Sequence, residues 1–361
     1  MNFDKEKANV FFPYKILAYP QTLNYLITGQ EVAPINIEIN ITNQCNHNCI
    51  WCTYGYLHNN GDTLSVEVVR KVLREAHDLG VKSVTWTGGG EPTVHKNFND
   101  LILCAKELGF KQGLNTNGYL LNSQTIPFIT ENFSYVRFSV DAATPITLQK
   151  CHGTKEKDFS VITHNIQEMC TERKLRKSKC VIGFSFLIDS SNYKEIVPAV
   201  ELAKNLGVDY IQLKPIVHYD RDNSQFSCTS KIWDYIARAF EQAKHFESDQ
   251  FSVHILDHKF RNIQLENENY GRQYTKCVGC NLLASIGANG AVDLCCAYKG
   301  MAEWAVGNIY TQSLDEIWFG DKRRQLRDSV DIRLCPPMCK ADEINRLLHF
   351  LQTFDANKEF I

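Results

Sequence analysis

Cys45-Asn46-His47-Asn48-Cys49-Ile50-Trp51-Cys52 places three cysteines within eight residues, spaced C-x3-C-x2-C. The stretch follows an alternating apolar run over residues 35–42. Thiolates this close on one loop can converge on a single soft metal centre. Three of them leave one iron of a 4Fe-4S cube without a protein ligand, open to a small molecule. The competing reading is a zinc knuckle or a set of buried free thiols. Zinc sites pair two C-x2-C-type arms, and the only other ligand type nearby is His47, placed where joining the site would strain the loop.

A second motif, Thr87-Gly88-Gly89-Gly90-Glu91-Pro92, follows the next apolar strand, about 35 residues on. Taken in order on successive βα units, the two motifs resemble the cluster loop and the GGE segment of the radical S-adenosylmethionine (SAM) enzymes. The resemblance covers roughly residues 35–220. It implies an open-site 4Fe-4S cluster on Cys45, Cys49 and Cys52, and SAM whose amino group meets the Gly88, Gly89, Gly90, Glu91 segment.

Working outward, a βα rhythm organises the chain. Leu79-Gly80, Leu108-Gly109 and Leu206-Gly207 each close a helix just before a strand. Strands are predicted at 35–42, 81–87, 110–116, 135–141, 180–188 and 209–216. Helices are predicted at 65–79, 97–108, 122–131, 158–176, 192–206 and 230–247, with Thr63 or Ser65 capping the first. Repeated right-handed crossovers give a parallel sheet with helices outside. Six units are too few for a closed eight-stranded barrel, so the fold class is α/β, a partial (β/α)6 TIM-like barrel. The resemblance implies the same fold. Ligands in such sheets collect at the C-terminal strand ends. Asn115-Thr116-Asn117-Gly118, Ser139-Val140-Asp141 and Lys214-Pro215 lie there. Each alone reads equally as a turn or a helix cap. Together they outline a pocket in which Glu91 offers an anion to an ammonium group, Ser139 and Asp141 could bond ribose hydroxyls, and Asn117 joins the cofactor-binding set.

The C-terminal third carries Cys277-Val278-Gly279-Cys280, then Gly290 and Cys295-Cys296, then Cys335 and Cys339. The pattern C-x9-G-x4-C with a distal cysteine pair resembles the SPASM/twitch extension of the same enzymes, as do Gly307-Asn308-Ile309 and Leu314 to Trp318. Ala288-Asn289-Gly290-Ala291-Val292 reads as a hairpin turn that brings Cys280 toward Cys295. Lacking the middle C-x2-C-x5-C group, the sequence implies one auxiliary 4Fe-4S cluster on Cys280, Cys295, Cys335 and Cys339, with Cys277 or Cys296 as alternative ligands. A four-cysteine zinc ribbon is the bland alternative. The domains expected are an N-terminal arm (1–34), aromatic-rich and irregular; a radical SAM partial barrel (35–250); and a small cysteine-rich β-hairpin/helix domain with a C-terminal helix (251–361). Residues 218–230 read as a polar surface loop.

Composition limits the alternatives. The chain has 361 residues, 44% of them hydrophobic, and a formal net charge of −2. That is ample for a full core and points to neither a nucleic-acid groove nor a membrane surface. Without a signal pattern or an 18-residue apolar run, a cytoplasmic location is expected, where 14 cysteines argue for metal or redox chemistry over disulfides. Cys104, Cys170 and Cys180 fall in predicted elements and read as core thiols. Cys151 and Cys228 lie in less regular stretches; each is a candidate hydrogen-atom donor, with a buried thiol as the plainer reading.

The resemblance implies reductive cleavage of SAM to a 5′-deoxyadenosyl radical, which abstracts a hydrogen atom from substrate. Family habit puts modification of a ribosomally synthesised peptide first (crosslinking, epimerisation or excision), with a separate leader-peptide-binding protein as partner. A dehydrogenase or epimerase of a sugar or aminocyclitol is the alternative. An electron donor such as flavodoxin or ferredoxin is expected. A non-catalytic iron-sulfur or zinc binding protein is the rival from another class, and the GGE-like segment speaks against it.

Overall fold

A computed structural model describes residues 13–216, 230–266, 272–336 and 339–354. Among these, ten strands form one sheet in the order β10-β9-β8-β1-β2-β3-β4-β5-β6-β7. The first six, β1 (Asn36–Ile39), β2 (Ser83–Trp86), β3 (Lys111–Thr116), β4 (Tyr135–Ser139), β5 (Val181–Ile188) and β6 (Tyr210–Pro215), coincide with the predicted strands and pair in parallel. A seventh, β7 (Ser252–Ile255), extends the parallel set beyond the six expected. β8 (Leu283–Ile286) returns to pair in parallel with β1, while β9 (Ala291–Asp293) and β10 (Ala305–Asn308) continue antiparallel. The hairpin thus sits where expected, but on the barrel's own sheet, directly beside the strand that leads into the cysteine loop.

In chain order the helices are α1 (Pro20–Ile27), α2 (Val66–Asp78), α3 (Phe98–Glu107), α4 (Thr125–Asn132), α5 (Pro145–His152), α6 (Glu156–Leu175), α7 (Ile196–Leu206), α8 (Ser230–Lys244), α9 (Asp257–Glu266), α10 (Leu314–Trp318), α11 (Asp321–Ser329) and α12 (Asp342–Thr353). Gly80, Gly109 and Gly207 stand at φ near +82°, +81° and +82°, the left-handed turn that stops a helix so a strand can begin at once. Ser65 caps α2, accepting from the Val68 N–H at 3.3 Å. α2 then buries Val69, Val72, Leu73 and Ala76 against the sheet; each of the larger side chains contributes roughly 1.5–3 kcal/mol.

Two expectations about local structure change. The N-terminal arm is helical over Pro13–Ala18 and α1, not irregular, and Ile16, Leu26 and Val32 pack with Leu348 of α12. Pro20 at the first turn of α1 is the start signal. α5 was expected as irregular chain; Thr144 caps it by accepting from the Thr147 N–H, and Pro145 pre-sets its first turn. The polar loop expected at 218–230 lies outside the described residues except for Ser230.

Side-chain alternation along the strands decides what the barrel can hold. Ile37, Ile39, Val84, Trp86, Val136, Phe138, Phe184, Phe186, Ile211 and Leu213 are fully buried. The alternate positions include Glu38, Thr85, Arg137, Ser139, Ser185, Gln212 and Lys214, and these form the concave face. A polar concave face cannot collapse into a dry core, so it forms a chamber.

Candidate active site

The cysteine loop is fixed to its neighbours by hydrogen bonds from two adjoining strand ends and by His58. The Gly90 N–H donates to Thr42 O at 3.0 Å and the Glu91 N–H to Gln44 O at 3.0 Å. Asn117 Nδ2 donates to Asn46 Oδ1 at 2.8 Å, and His58 Nε2 lies 2.6 Å from Gly89 O and 3.8 Å from Cys52 Sγ. A methyl group on Gly90 would come within 2.1 Å of Gln44 O, and one on Gly88 within 2.0 Å of Asn40 Oδ1. These glycines therefore serve a close approach of their segment to the chain between β1 and the cysteine loop.

Cys45, Cys49 and Cys52 sit within one another's fields. Burial pushes the Cys45 thiol up to about 12, and Glu91 and the other two cysteines add to it. Burial likewise raises Cys52. Three cysteines held this close on one loop, two of them with thiols raised by burial, suit a centre whose iron takes the place of thiol protons. This donor set fits an open-site cluster.

His47 turns toward a relay. Its Nδ1 lies 3.1 Å from His152 Nδ1, and His152 Nε2 lies 3.1 Å from Asp141 Oδ2. Donor atoms of His47, Cys49 and His152 all lie within 4.8 Å of one another. Although burial opposes its charge, the field of Cys49 and the Asp141 carboxylate raise His152 to about 10. His47 is driven down to about 3 by burial and by His152. The charged ring is thus His152, sealed between Asp141 and the cluster loop. Nothing in the linear pattern linked residues 47, 141 and 152; only the return of α5 to the loop, with Asn48 N–H donating to His152 O at 2.9 Å, brings them together.

The remaining rim residues divide. Glu91 accepts from Thr93 N (3.1 Å), Thr93 Oγ1 (2.7 Å), Thr116 Oγ1 (2.7 Å) and Asn117 N (2.8 Å). Three of these reach Oε1 and one reaches Oε2, so Oε2 keeps room for a further donor. Burial raises this carboxyl against those four bonds. The Ser139 hydroxyl makes no hydrogen bond among the described residues. Asp141, expected to meet ribose, is spent within the protein: Oδ1 accepts from Leu187 N at 2.7 Å and Oδ2 faces His152. Its φ of 57° is the cost of that inward turn. Cys151 is 1% exposed and packs in the main hydrophobic cluster, its thiol raised to about 12 by burial. Cys228 lies outside the described residues.

In the C-terminal group the expected four cysteines are joined by Cys277 and Cys296. Cys339 feels Cys277, Cys335 and Cys296, and Cys335 feels Cys277. Cys280 instead faces Cys277, Arg323 and Arg327, and its thiol donates to Cys277 O at 3.0 Å. The neighbouring Cys280 thiol and the Asn345 amide hold Cys277 down to about 6, against burial. Cys277 is thus the member of this pair whose field reaches Cys335 and Cys339. Arg272 braces that side, donating to Cys335 O at 3.0 Å and Pro336 O at 2.7 Å. Tyr54 OH donates to Cys296 O at 2.7 Å and Tyr56 OH to Lys299 O at 2.5 Å, which ties this group to the segment after the first cysteine loop.

Comparison with known proteins follows the same two-part layout. Residues 39–203 match the radical SAM superfamily, and residues 277–341 match an iron-sulfur cluster-binding domain. A probable GTP 3′,8-cyclase of Saccharolobus islandicus is 26% identical over 179 residues, 49% of this chain and 56% of that protein. The tungsten-containing aldehyde ferredoxin oxidoreductase cofactor-modifying protein of Pyrococcus furiosus is 28% identical over 174 residues, 47% of this chain and 48% of that one. The chain thus spans about half the length of the curated relatives it matches. Among solved structures, Streptococcus suis SuiB bound to SAM superposes with a TM-score of 0.64 at 16% identity, covering 91% of this chain and 77% of SuiB. Native anSMEcpe with bound SAM gives 0.60 at 17% identity, covering 88% and 96%. At such identities these two likenesses speak for the fold.

Proposed function

We propose, from the premise that the chain belongs to the radical SAM superfamily and carries an iron-sulfur cluster-binding domain, that it cleaves SAM reductively and abstracts a hydrogen atom from a peptide substrate. The observation that carries the reading is the joining of the three-thiol loop to the Glu91 and Asn117 strand ends in one hydrogen-bonded rim. Cys45, Cys49 and Cys52 would hold a cluster that, when bound, would supply the electron for reductive cleavage of SAM. The chain's own part is positional. Glu91 Oε2 receives the SAM ammonium, and Ser139 offers the free hydroxyl at the rim. The apolar faces of the strands, packed under helices, keep water from the back of the chamber. Cys277, Cys295 or Cys296, Cys335 and Cys339 would hold an auxiliary cluster.

Peptide modification is favoured over an aminocyclitol reaction by the sign of the chamber. Amine substrates call for facing carboxylates, whereas the described concave face presents Arg137 and Lys214, and its Glu38 is paired with Lys340. SuiB has been solved with its precursor peptide SuiA, which supports a peptide on this architecture. The test is anaerobic co-expression with any short peptides encoded beside the gene, followed by mass spectrometry. Loss of two hydrogens, loss of a backbone piece, or deuterium uptake in heavy water supports the reading. Unmodified peptides alongside a turned-over small molecule contradict it.

A further inference from the structure

His47 takes no part in the three-thiol site, yet its side chain is only 5% exposed and meets a second set of ligating atoms. One donor atom from each of His47, Cys49 and His152 lies within 4.8 Å of the other two. His152 is 1% exposed, and Asp141 Oδ2 occupies its Nε2 side at 3.1 Å, which leaves Nδ1 as the nitrogen open to another partner. That Nδ1 lies 3.1 Å from His47 Nδ1, so the two rings converge on one point. Ligand atoms that share one zinc ion, each bonded at about 2.0–2.3 Å, stand roughly 3.3–3.8 Å apart. The two nitrogens are already near that spacing, and the sulfur needs a shift of at most about 1 Å to join them. The backbone holds the three residues together. The Asn48 N–H donates to His152 O at 2.9 Å and the Ile50 N–H to Cys151 O at 3.0 Å, one on each side of Cys49. Gly153 stands at φ +60°, and a methyl group there would come within 2.4 Å of Asn48 O, so the end of α5 seats directly on the loop. Asp141 is itself fixed by the Leu187 N–H at 2.7 Å. A carboxylate behind an imidazole is the common outer partner of a metal-bound histidine, because it fixes the ring and decides which nitrogen faces the ion.

We propose that His47, Cys49 and His152 form a three-ligand site for a zinc-class divalent ion in the cluster-free chain. The ion displaces the proton that the two rings otherwise share, and the Cys49 sulfur completes the protein's part. Three ligands leave a fourth tetrahedral position for water. Because Cys49 also belongs to the three-thiol loop, the ion and the first cluster exclude one another. The ion site stands on the side-chain geometry alone. The exclusion rests on the proposed assignment of Cys49 to the first cluster.

The experiment uses the full chain, stripped of metal under anaerobic conditions, with Cys335→Ala and Cys339→Ala as background so that the distal pair does not compete. Cobalt(II) serves as the spectroscopic probe. It should bind with thiolate charge-transfer and tetrahedral d–d bands, and zinc should displace it. His47→Phe and His152→Gln should each weaken cobalt by about tenfold or more, while Cys45→Ala and Cys52→Ala leave its affinity unchanged. Near-ultraviolet dichroism checks each fold. His47→Phe keeps a ring against Tyr119, so it decides the matter even where His152→Gln unfolds. Zinc added before iron and sulfide should block iron uptake at the first site, and His47→Phe should relieve the block. Two results overturn the ion site. One is cobalt affinity unchanged in the folded histidine variants, which leaves the contact between the two rings an ordinary hydrogen bond. The other is affinity lost in Cys45→Ala and Cys52→Ala instead, which assigns the ion to the thiol loop. Cobalt bound as proposed, with zinc leaving iron uptake untouched, overturns the exclusion alone. Formation of 5′-deoxyadenosine by the reconstituted wild-type chain is assayed separately. Its absence with the ion site intact would sink the radical reading and not the ion site.

Discussion

Cys277 and Cys280 are one helical turn apart in opposite environments. Cys277 meets the Asn345 amide and the distal cysteine pair; Cys280 meets its neighbour's carbonyl and lies beside Arg323. Cys277→Ala is therefore expected to lose the auxiliary iron, about four atoms per chain, and Cys280→Ala to keep it, measured by iron and sulfide analysis after reconstitution. The reverse would restore the assignment expected from spacing alone. Spacing could not decide, because both cysteines stand upstream of Gly290 within hairpin reach. Glu91 offers a second residue-level check. In Glu91→Gln an NH2 donor replaces one of two oxygens that together face four donors, and in its best orientation it still meets the Asn117 N–H. The mismatch should cost about 1–3 kcal/mol in urea unfolding and weaken SAM binding in equilibrium dialysis. Wild-type stability in that variant would mean the four bonds are not formed in solution.

At the scale of elements, β1 to β6 were legible because Leu-Gly closures punctuate an apolar rhythm that period-2 and period-3.6 patterns resolve. α5 was legible in principle, from Thr144 capping Pro145, but its packing against residues 48–50 has no local signature. Nor does the pairing of β8 with β1, since periodicity shows a strand's faces and not its neighbour. The alternation Tyr135-Val136-Arg137-Phe138-Ser139 did carry a usable sign. Parallel strands covered on both faces read as continuous apolar runs, so a polar alternate face in a parallel strand marks a chamber. Contact between elements is also where Gly90 acts. Gly90→Ala presses a methyl group on Gln44 O, a backbone atom with nowhere to retreat. The cysteine loop should shift, at a cost of about 1–3 kcal/mol. Reconstitution at Cys45, Cys49 and Cys52 should fall while auxiliary iron is retained, as read by electron paramagnetic resonance of the reduced protein. An unchanged first-cluster signal would show that the loop yields freely.

Across the whole molecule, one sheet carries both cysteine groups, the first after β1 and the second around β8 and β9 beside it. Among the described residues no helix is long and apolar enough to cross a membrane. The central claim is that these are two separate iron-sulfur sites and that only the first cleaves SAM. The direct measurement compares wild type with the triple variant Cys45→Ala, Cys49→Ala, Cys52→Ala, both reconstituted anaerobically and given SAM and a strong reductant. The account predicts about eight irons and 5′-deoxyadenosine from wild type, and about four irons and no 5′-deoxyadenosine from the variant. Zinc in place of iron, or 5′-deoxyadenosine from the triple variant, would contradict it.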